Sequence, residues 1–416
     1  MTATDDVTRS QPPAEAKGAR AYLKVVKTPG MPAWTFVVLC QRLPIAMSPL
    51  ALVYLGHLAG SYALGALLAG AFAFAEAIAA GVMGRRFDRR PAGPELRLVL
   101  AVQTVVLIAL GVAAMVSPGW LPAWAMIALA AIAGGVASGA HGGLRALLVR
   151  TVDSSAHHAA LSLEATLTTL LWAIGPAVVG LIALVSGQAW PILVIAAIAA
   201  VGALASVLLK DTGVARDESG GEQADVRVWR LSWPALFQEG AVMLCVGAAY
   251  TGLPSLLELV GTDAGIAGPV LAVFAVAGLI GGLVYGSRKW PGAYRSQSFV
   301  LVLAVTAVVA AAVVSPTAAT IIGLMILSGL AGTPALTARA AGMQELLPER
   351  VWATGFSGLY AAGGVGFGVA GLVVAALLEP IGIRGSLLVC VAVAALAAVV
   401  SGVAEARKAA RPAGAA

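Results

Sequence analysis

Four ionisable side chains stand well inside long apolar runs: Arg42, Glu76, Glu164 and Glu239. A charge at the centre of a membrane-crossing helix costs about 2.5–3.5 kcal/mol on insertion scales, so each needs a partner, water or a task. A carboxylate in such a place can take up and release a proton, and an arginine can hold a carboxylate or an anionic substrate group. At a rise of about 1.5 Å per residue all four lie roughly 9–12 Å from the same end of their helices, which predicts one polar layer. Gln41 and Gln238 directly precede Arg42 and Glu239, and His141 lies in the fourth run. Glu164 has a second reading, as a structural partner of Arg145 or Arg150, and Glu76 as a hydrogen-bonding link between helices.

The elements that carry these residues are set by composition. Of 416 residues, 60% are hydrophobic and 11% charged, too little polar surface to cover a soluble globule of this size. The apolar runs approach the roughly 20 residues that a helix needs to cross a hydrocarbon core, and they do not alternate as barrel strands would. Helices are expected near 34–55, 62–83, 98–116, 121–144, 159–185 and 191–209, then near 231–257, 266–285, 299–314, 318–341, 354–378 and 385–403. The implied organisation is a tail over 1–30, a six-helix bundle over 31–209, a polar linker over 210–230, a second bundle over 231–404 and a tail over 405–416. The halves repeat: Gln41-Arg42 followed by Pro49 returns as Gln238-Glu239 followed by Pro254, and Arg145 with Ser162 returns as Arg339 with Ser357. The fold class is therefore all-α, with twelve transmembrane helices in two pseudo-symmetric halves.

Charge placement predicts orientation. The formal charge is +6, but the basic residues form no stripe of the kind that binds nucleic acid. All but two of the 26 Lys and Arg fall on the side of the N-terminus and linker; Arg384 is on the other side and Arg42 is inside a helix. Both termini are thus expected in the cytoplasm, with no cleaved signal peptide. Cys40, Cys245 and Cys390 are too few and too far apart for a metal cluster and read as packing residues. The consecutive His157 and His158 cannot face one metal from one helical side. Trp34, Trp120, Trp124, Trp190, Trp233 and Trp352 lie near run ends, where an interfacial belt accounts for them. By depth, Tyr54, Trp172, Tyr250 and Tyr360 are candidate substrate contacts.

After the second helix the chain reads Gly84-Arg85-Arg86-Phe87-Asp88-Arg89-Arg90. Together with the twelve helices, the polar linker and the repeat, this loop resembles the major facilitator superfamily, whose loop motif is a glycine, three residues, an aspartate and basic residues. The family's further glycine is Pro91 here, and the second half holds only an echo, Gly286-Ser287-Arg288-Lys289. The resemblance implies a latch in which Asp88 and the arginines hold the start of the eleventh helix, near Thr354. In the fifth helix, Gly175-Pro176-Ala177-Val178-Val179-Gly180 is similar to part of the superfamily's antiporter motif, with Leu171 at one of its glycine positions. The arginine that drug antiporters of this superfamily carry in the fourth helix falls on Ala130.

The family architecture also implies that helices 1, 4, 7 and 10 line a central cavity, which would bring Arg42 and Glu239 face to face. Glu239 would then carry the proton while Arg42 pairs alternately with it or with the substrate, so that charge state follows conformation. The expected function is a monomeric secondary transporter in a bacterial cytoplasmic membrane, with the bilayer and a small-molecule substrate as its partners. It needs no cofactor beyond a coupling proton, and it exports small amphipathic or drug-like molecules. Uptake of a metabolite by symport or uniport is the alternative; it calls for polar ligands such as Gln41, Gln238, Thr333 and Thr337. The chain has no Gly-rich, lysine-containing phosphate loop and no catalytic constellation, so neither ATP hydrolysis nor enzymatic turnover is expected.

Overall fold

The computed structural model describes residues 19–116, 121–153, 156–209, 226–287, 289–348 and 352–410. Every regular element among them is helical, and eleven spans are long and apolar enough to cross a membrane. The last of these, Gly355–Arg407, has 53 residues; at about 1.5 Å each it would be some 80 Å long, far more than one crossing needs. It turns back at Gly382, whose φ of 69° and ψ of 173° suit only glycine, after Pro380. Cys390 lies with its sulfur 3.9 Å from the Ala370 carbonyl, so the two arms form a hairpin. The protein is a multi-pass membrane protein with twelve crossings.

We number the crossings α1 Met31–Leu58, α2 Tyr62–Arg89, α3 Ala92–Val116, α4 Ala123–Thr151, α5 His157–Ser186 and α6 Trp190–Ala205 in the first half. The second half holds α7 Val226–Leu259, α8 Ala267–Gly286, α9 Tyr294–Val314, α10 Ala318–Leu346, α11 over 352–381 and α12 over 383–410. Helix α4 is interrupted at Ser138 and Gly139. Several helices outrun the sequence-based bounds: α7 begins within the expected linker, and α12 runs past the expected end of the second bundle. The apolar runs define the hydrocarbon crossing, whereas the polar turns that extend a helix carry no apolar signal.

A short helix, Ala19–Lys27, lies across the face that carries the linker. Its Val25 is buried, while Leu23 and Val26 remain exposed on the other side, as in a helix lying in a membrane interface. Tyr22 donates to Ser162 at 3.2 Å, and Lys24 pairs with Asp153 at 3.3 Å.

The halves meet along two helix pairs, α2 with α11 and α5 with α8. Both seams are made of small residues, which let backbones approach where lipid gives no hydrophobic drive. Gly70 faces Gly368 and Gly371, and Gly364 faces Ala77. Gly180 of the fifth-helix motif lies on Gly268 and Pro269, and Gly175 packs on Ala46 of α1. The face opposite the linker is sealed further: the Tyr54 hydroxyl donates to the Ala264 carbonyl at 2.9 Å, and the Tyr62 hydroxyl to Glu258 at 2.6 Å. Toward the linker face, Gly81 and Gly84 of α2 have open space around them. The halves are therefore closed at the far face and part toward the linker.

A Cβ at Gly180 would stand 2.7 Å from Pro269 Cδ. Gly180→Val is expected to weaken the far-face seal by about 1–3 kcal/mol, the usual cost of overpacking. The check is maleimide labelling of an Ala264→Cys protein, which should be faster with the valine.

Candidate functional site: a two-carboxylate cavity between the halves

A cavity of about 130 Å³ lies where the halves face each other. Its walls come from α1, α2, α5, α7 and α11, with Pro49, Phe72, Trp172, Met243, Tyr360 and Phe367 among the apolar and aromatic members. Pro49, a proline inside α1, lies in the wall; its repeat counterpart Pro254 does not. The polar groups are Glu76 from α2 and Glu239 from α7, each only half-buried because the cavity reaches it. Tyr360, from α11, faces Glu76 across the interface in the same wall. Behind this wall, Tyr250 packs edge-on to Trp172 at 6.2 Å and against Phe367 at 5.6 Å.

Among the described residues no Lys or Arg nitrogen lies within 4.0 Å of either cavity carboxylate. The charge of Arg339 reaches Glu239, but its guanidinium is bound to Glu405 at 3.0 Å and to Ser298. Gln238 joins the same network, accepting from Ser298 and donating to Glu405, each at 3.2 Å.

The expected facing pair of Arg42 and Glu239 is not formed. Arg42 is 3% exposed and is bound to Glu164 and Thr168, both of α5, within its own half. Glu164 also meets Arg145 at 3.4 Å and His141 at 3.9 Å, so the pairing with Arg145 is formed. The single polar layer thus divides into an arginine-rich cluster inside the first half and an acid pair in the cavity. The reason is angular: residues at one depth need not share a helix face, and α5 lies closer to Arg42 than α7 does.

His141 links the two groups in space. Its ring lies 5.8 Å from that of Tyr360 while its Nε2 approaches Glu164. Gln41 and Gln238 are both buried away from the cavity, and among the described residues the Gln41 side chain has no hydrogen-bond partner. Of the four aromatic candidates, Trp172 and Tyr360 line the cavity, Tyr250 backs it and Tyr54 belongs to the far-face seal. Trp34 departs from the interfacial belt: it is buried, and its indole N–H donates to the Leu144 carbonyl at 2.8 Å, tying α1 to α4.

In the loop motif, Arg86 and Arg90 clasp Glu95 at the start of α3, Arg90 at 3.4 Å. Arg85 and Arg89 are exposed. The latch expected from Asp88 to Thr354 falls on side chains outside the described residues. Glu95, Glu405 and Arg339 are the polar anchors that the sequence reading missed or underused. Glu95 stands at a helix start and Glu405 near a helix end, positions that look solvated in one dimension.

The sequence model of the Major Facilitator Superfamily matches residues 34–317. No curated protein is detectably similar. Among solved structures, the fold is similar to the nucleoside transporter NupG, at a TM-score of 0.69 and 13% identity over 92% of this chain and 98% of that one. It is likewise similar to a bacterial homologue of the human lysosomal transporter Spinster, inward-facing and unoccupied, at a TM-score of 0.71 and 14% identity over 94% and 98%. A POT family transporter in complex with 5-aminolevulinic acid follows at 0.64 and 11% identity over 92% and 97%. At such identities the likeness concerns the fold. With the family match spanning most of the chain, twelve crossings in two halves and a cavity between them, the protein belongs to the major facilitator superfamily and is a transporter.

Proposed function

We propose that the protein exports small amphipathic, drug-like molecules in exchange for protons, with Glu76 and Glu239 as the groups that bind either. The observation that carries this reading is the pair of carboxylates, without an arginine partner among the described residues, in an aromatic and apolar cavity between the halves. Such an acid is stable there when it holds a proton or faces a cation, and the two compete for the same oxygens. Trp172, Phe72 and Tyr360 offer ring faces that suit a lipophilic cation. The cavity, about 130 Å³, is smaller than the roughly 300 Å³ of a drug-sized site, so its walls must move further apart to admit the ligand.

Uptake of a polar metabolite fits less well, because Gln41 and Gln238 turn away from the cavity and Thr337 is bonded back to the Thr333 carbonyl at 2.9 Å. We place both termini and the linker in the cytoplasm of a bacterial cell and treat the monomer as the working unit.

The test is transport in proteoliposomes under an imposed proton gradient. A lipophilic cation should accumulate against the proton flow; accumulation indifferent to the gradient contradicts antiport. Trp172→Ala is expected to weaken cation binding by about 2- to 30-fold, the range of a desolvated cation–π contact, as read by equilibrium binding.

A further inference from the structure

The charges of the central cavity are unmatched. Glu76 enters its wall from α2 of the first half and Glu239 from α7 of the second, so one cavity holds a carboxylate from each half. The basic groups around it are already taken by other acids. Arg42, Arg145 and His141 meet Glu164, and Arg339, whose charge reaches Glu239, is bound to Glu405. The Tyr360 hydroxyl beside Glu76 is neutral. Among the described residues the site therefore has two carboxylates and no cation of its own. A monocation can match only one of them, and the other must then keep its proton or stand as a costly anion against apolar groups.

Helix α11 gives the two carboxylates different surroundings. Tyr360 puts a ring beside Glu76, whereas Gly363, almost one turn on, puts none beside Glu239. A Cβ at Gly363 would stand 3.8 Å from Glu239 Oε1 and 3.2 Å from Met243 Cγ, so bare backbone leaves that carboxylate open to the cavity. The rest of the wall is apolar or aromatic, with Phe72, Trp172, Met243 and Phe367. Beyond the acids, its polar side-chain groups are the Tyr360 hydroxyl and the Trp172 indole N–H, which gives a neutral polar ligand little to bond.

We propose that the preferred substrate is a slender dication, two ammonium or amidinium groups joined by an apolar spacer, which pairs with Glu76 and Glu239 at once. The assignment rests on the exchange of cations for protons proposed above and fixes its count. As the dication enters, each carboxylate gives up one proton; as it leaves on the far side, each takes one up. Two protons thus cross inward for two positive charges outward, and the cycle moves no net charge. Charge complementarity selects the second cationic group, the apolar wall selects the spacer, and a volume of about 130 Å³ favours a narrow one. Because the acids belong to opposite halves, the bound dication also ties the halves together.

The test compares para-xylylenediamine with para-methylbenzylamine, which share one ring and differ in the second ammonium group. Each is titrated into the full-length protein in weakly buffered detergent, with binding read by calorimetry and released protons counted by pH-stat. The diamine is expected to release two protons per molecule bound and the monoamine one. The diamine should also bind at least about tenfold tighter, the contribution of one further hydrogen bond to a charged group. Glu76→Gln and Glu239→Gln should each cut the diamine's count to one and remove its advantage in affinity. Gly363→Val, whose side chain would cover Glu239, should do the same. Equal counts for the two amines in the wild-type protein, equal affinities, or failure of the diamine to bind overturns the dication. One proton for each amine does so while leaving cation–proton exchange intact, whereas binding of both without release overturns the exchange itself.

Discussion

Arg42→Ala is expected to lower the stability of the protein by about 3–5 kcal/mol, the cost of breaking a buried ion pair from one side. Glu164 would be left among apolar neighbours with only the outer partners Arg145 at 3.4 Å and His141 at 3.9 Å. Arg145 is about half exposed and shares its charge with water, so it cannot replace a guanidinium that is 3% exposed and also bonded to Thr168. The thermal midpoint in detergent reads this directly. Arg42→Met combined with Glu164→Leu should recover most of the loss, because an apolar pair of similar volume removes both charges together. If instead Arg42→Ala folds with an unchanged midpoint but loses substrate binding, Arg42 belongs to the transport site after all.

Glu239→Gln is expected to reduce proton-driven accumulation by at least about tenfold, within the range that linked binding equilibria show, while leaving substrate counterflow between equal pH compartments measurable. Glutamine keeps the size and hydrogen-bonding ends of the side chain and removes the titration. Glu76→Gln should act in the same direction but less, because the neutral Tyr360 hydroxyl stands beside its carboxyl in the cavity wall. Loss of counterflow together with accumulation would mean that Glu239 orders the cavity rather than carrying the proton.

Much of the fold is legible in one dimension, since lipid as solvent forces the apolar runs to be helices and the basic residues to mark one face. The repeat of Gln41-Arg42 in Gln238-Glu239 points to α1 and α7 as equivalent helices. It misleads about contact, because equivalence under a pseudo-twofold axis does not place two side chains opposite each other. Arg42 found its partner two crossings nearer in its own half. The carboxylates of the cavity, Glu76 and Glu239, were visible as isolated charges in apolar runs, and so was Trp172 as an aromatic at depth. The partners of Arg339 and Gln238 were not: Glu405 is some 66 residues along from Arg339, on the final helix turns, and nothing local marks it as buried. The glycine seams of α2 with α11 and α5 with α8 were readable as small residues but not as pairs, for which the packing of the halves is needed.

The central claim is that protons and substrate compete for the carboxylates of the cavity. It is tested most directly by proton release from purified protein in weakly buffered detergent on addition of a panel of amphipathic cations and antibiotics. Release should follow binding of at least one compound, saturate with it, and disappear in Glu239→Gln. Compounds that bind without releasing protons, or release that is the same in Glu239→Gln, would contradict the account.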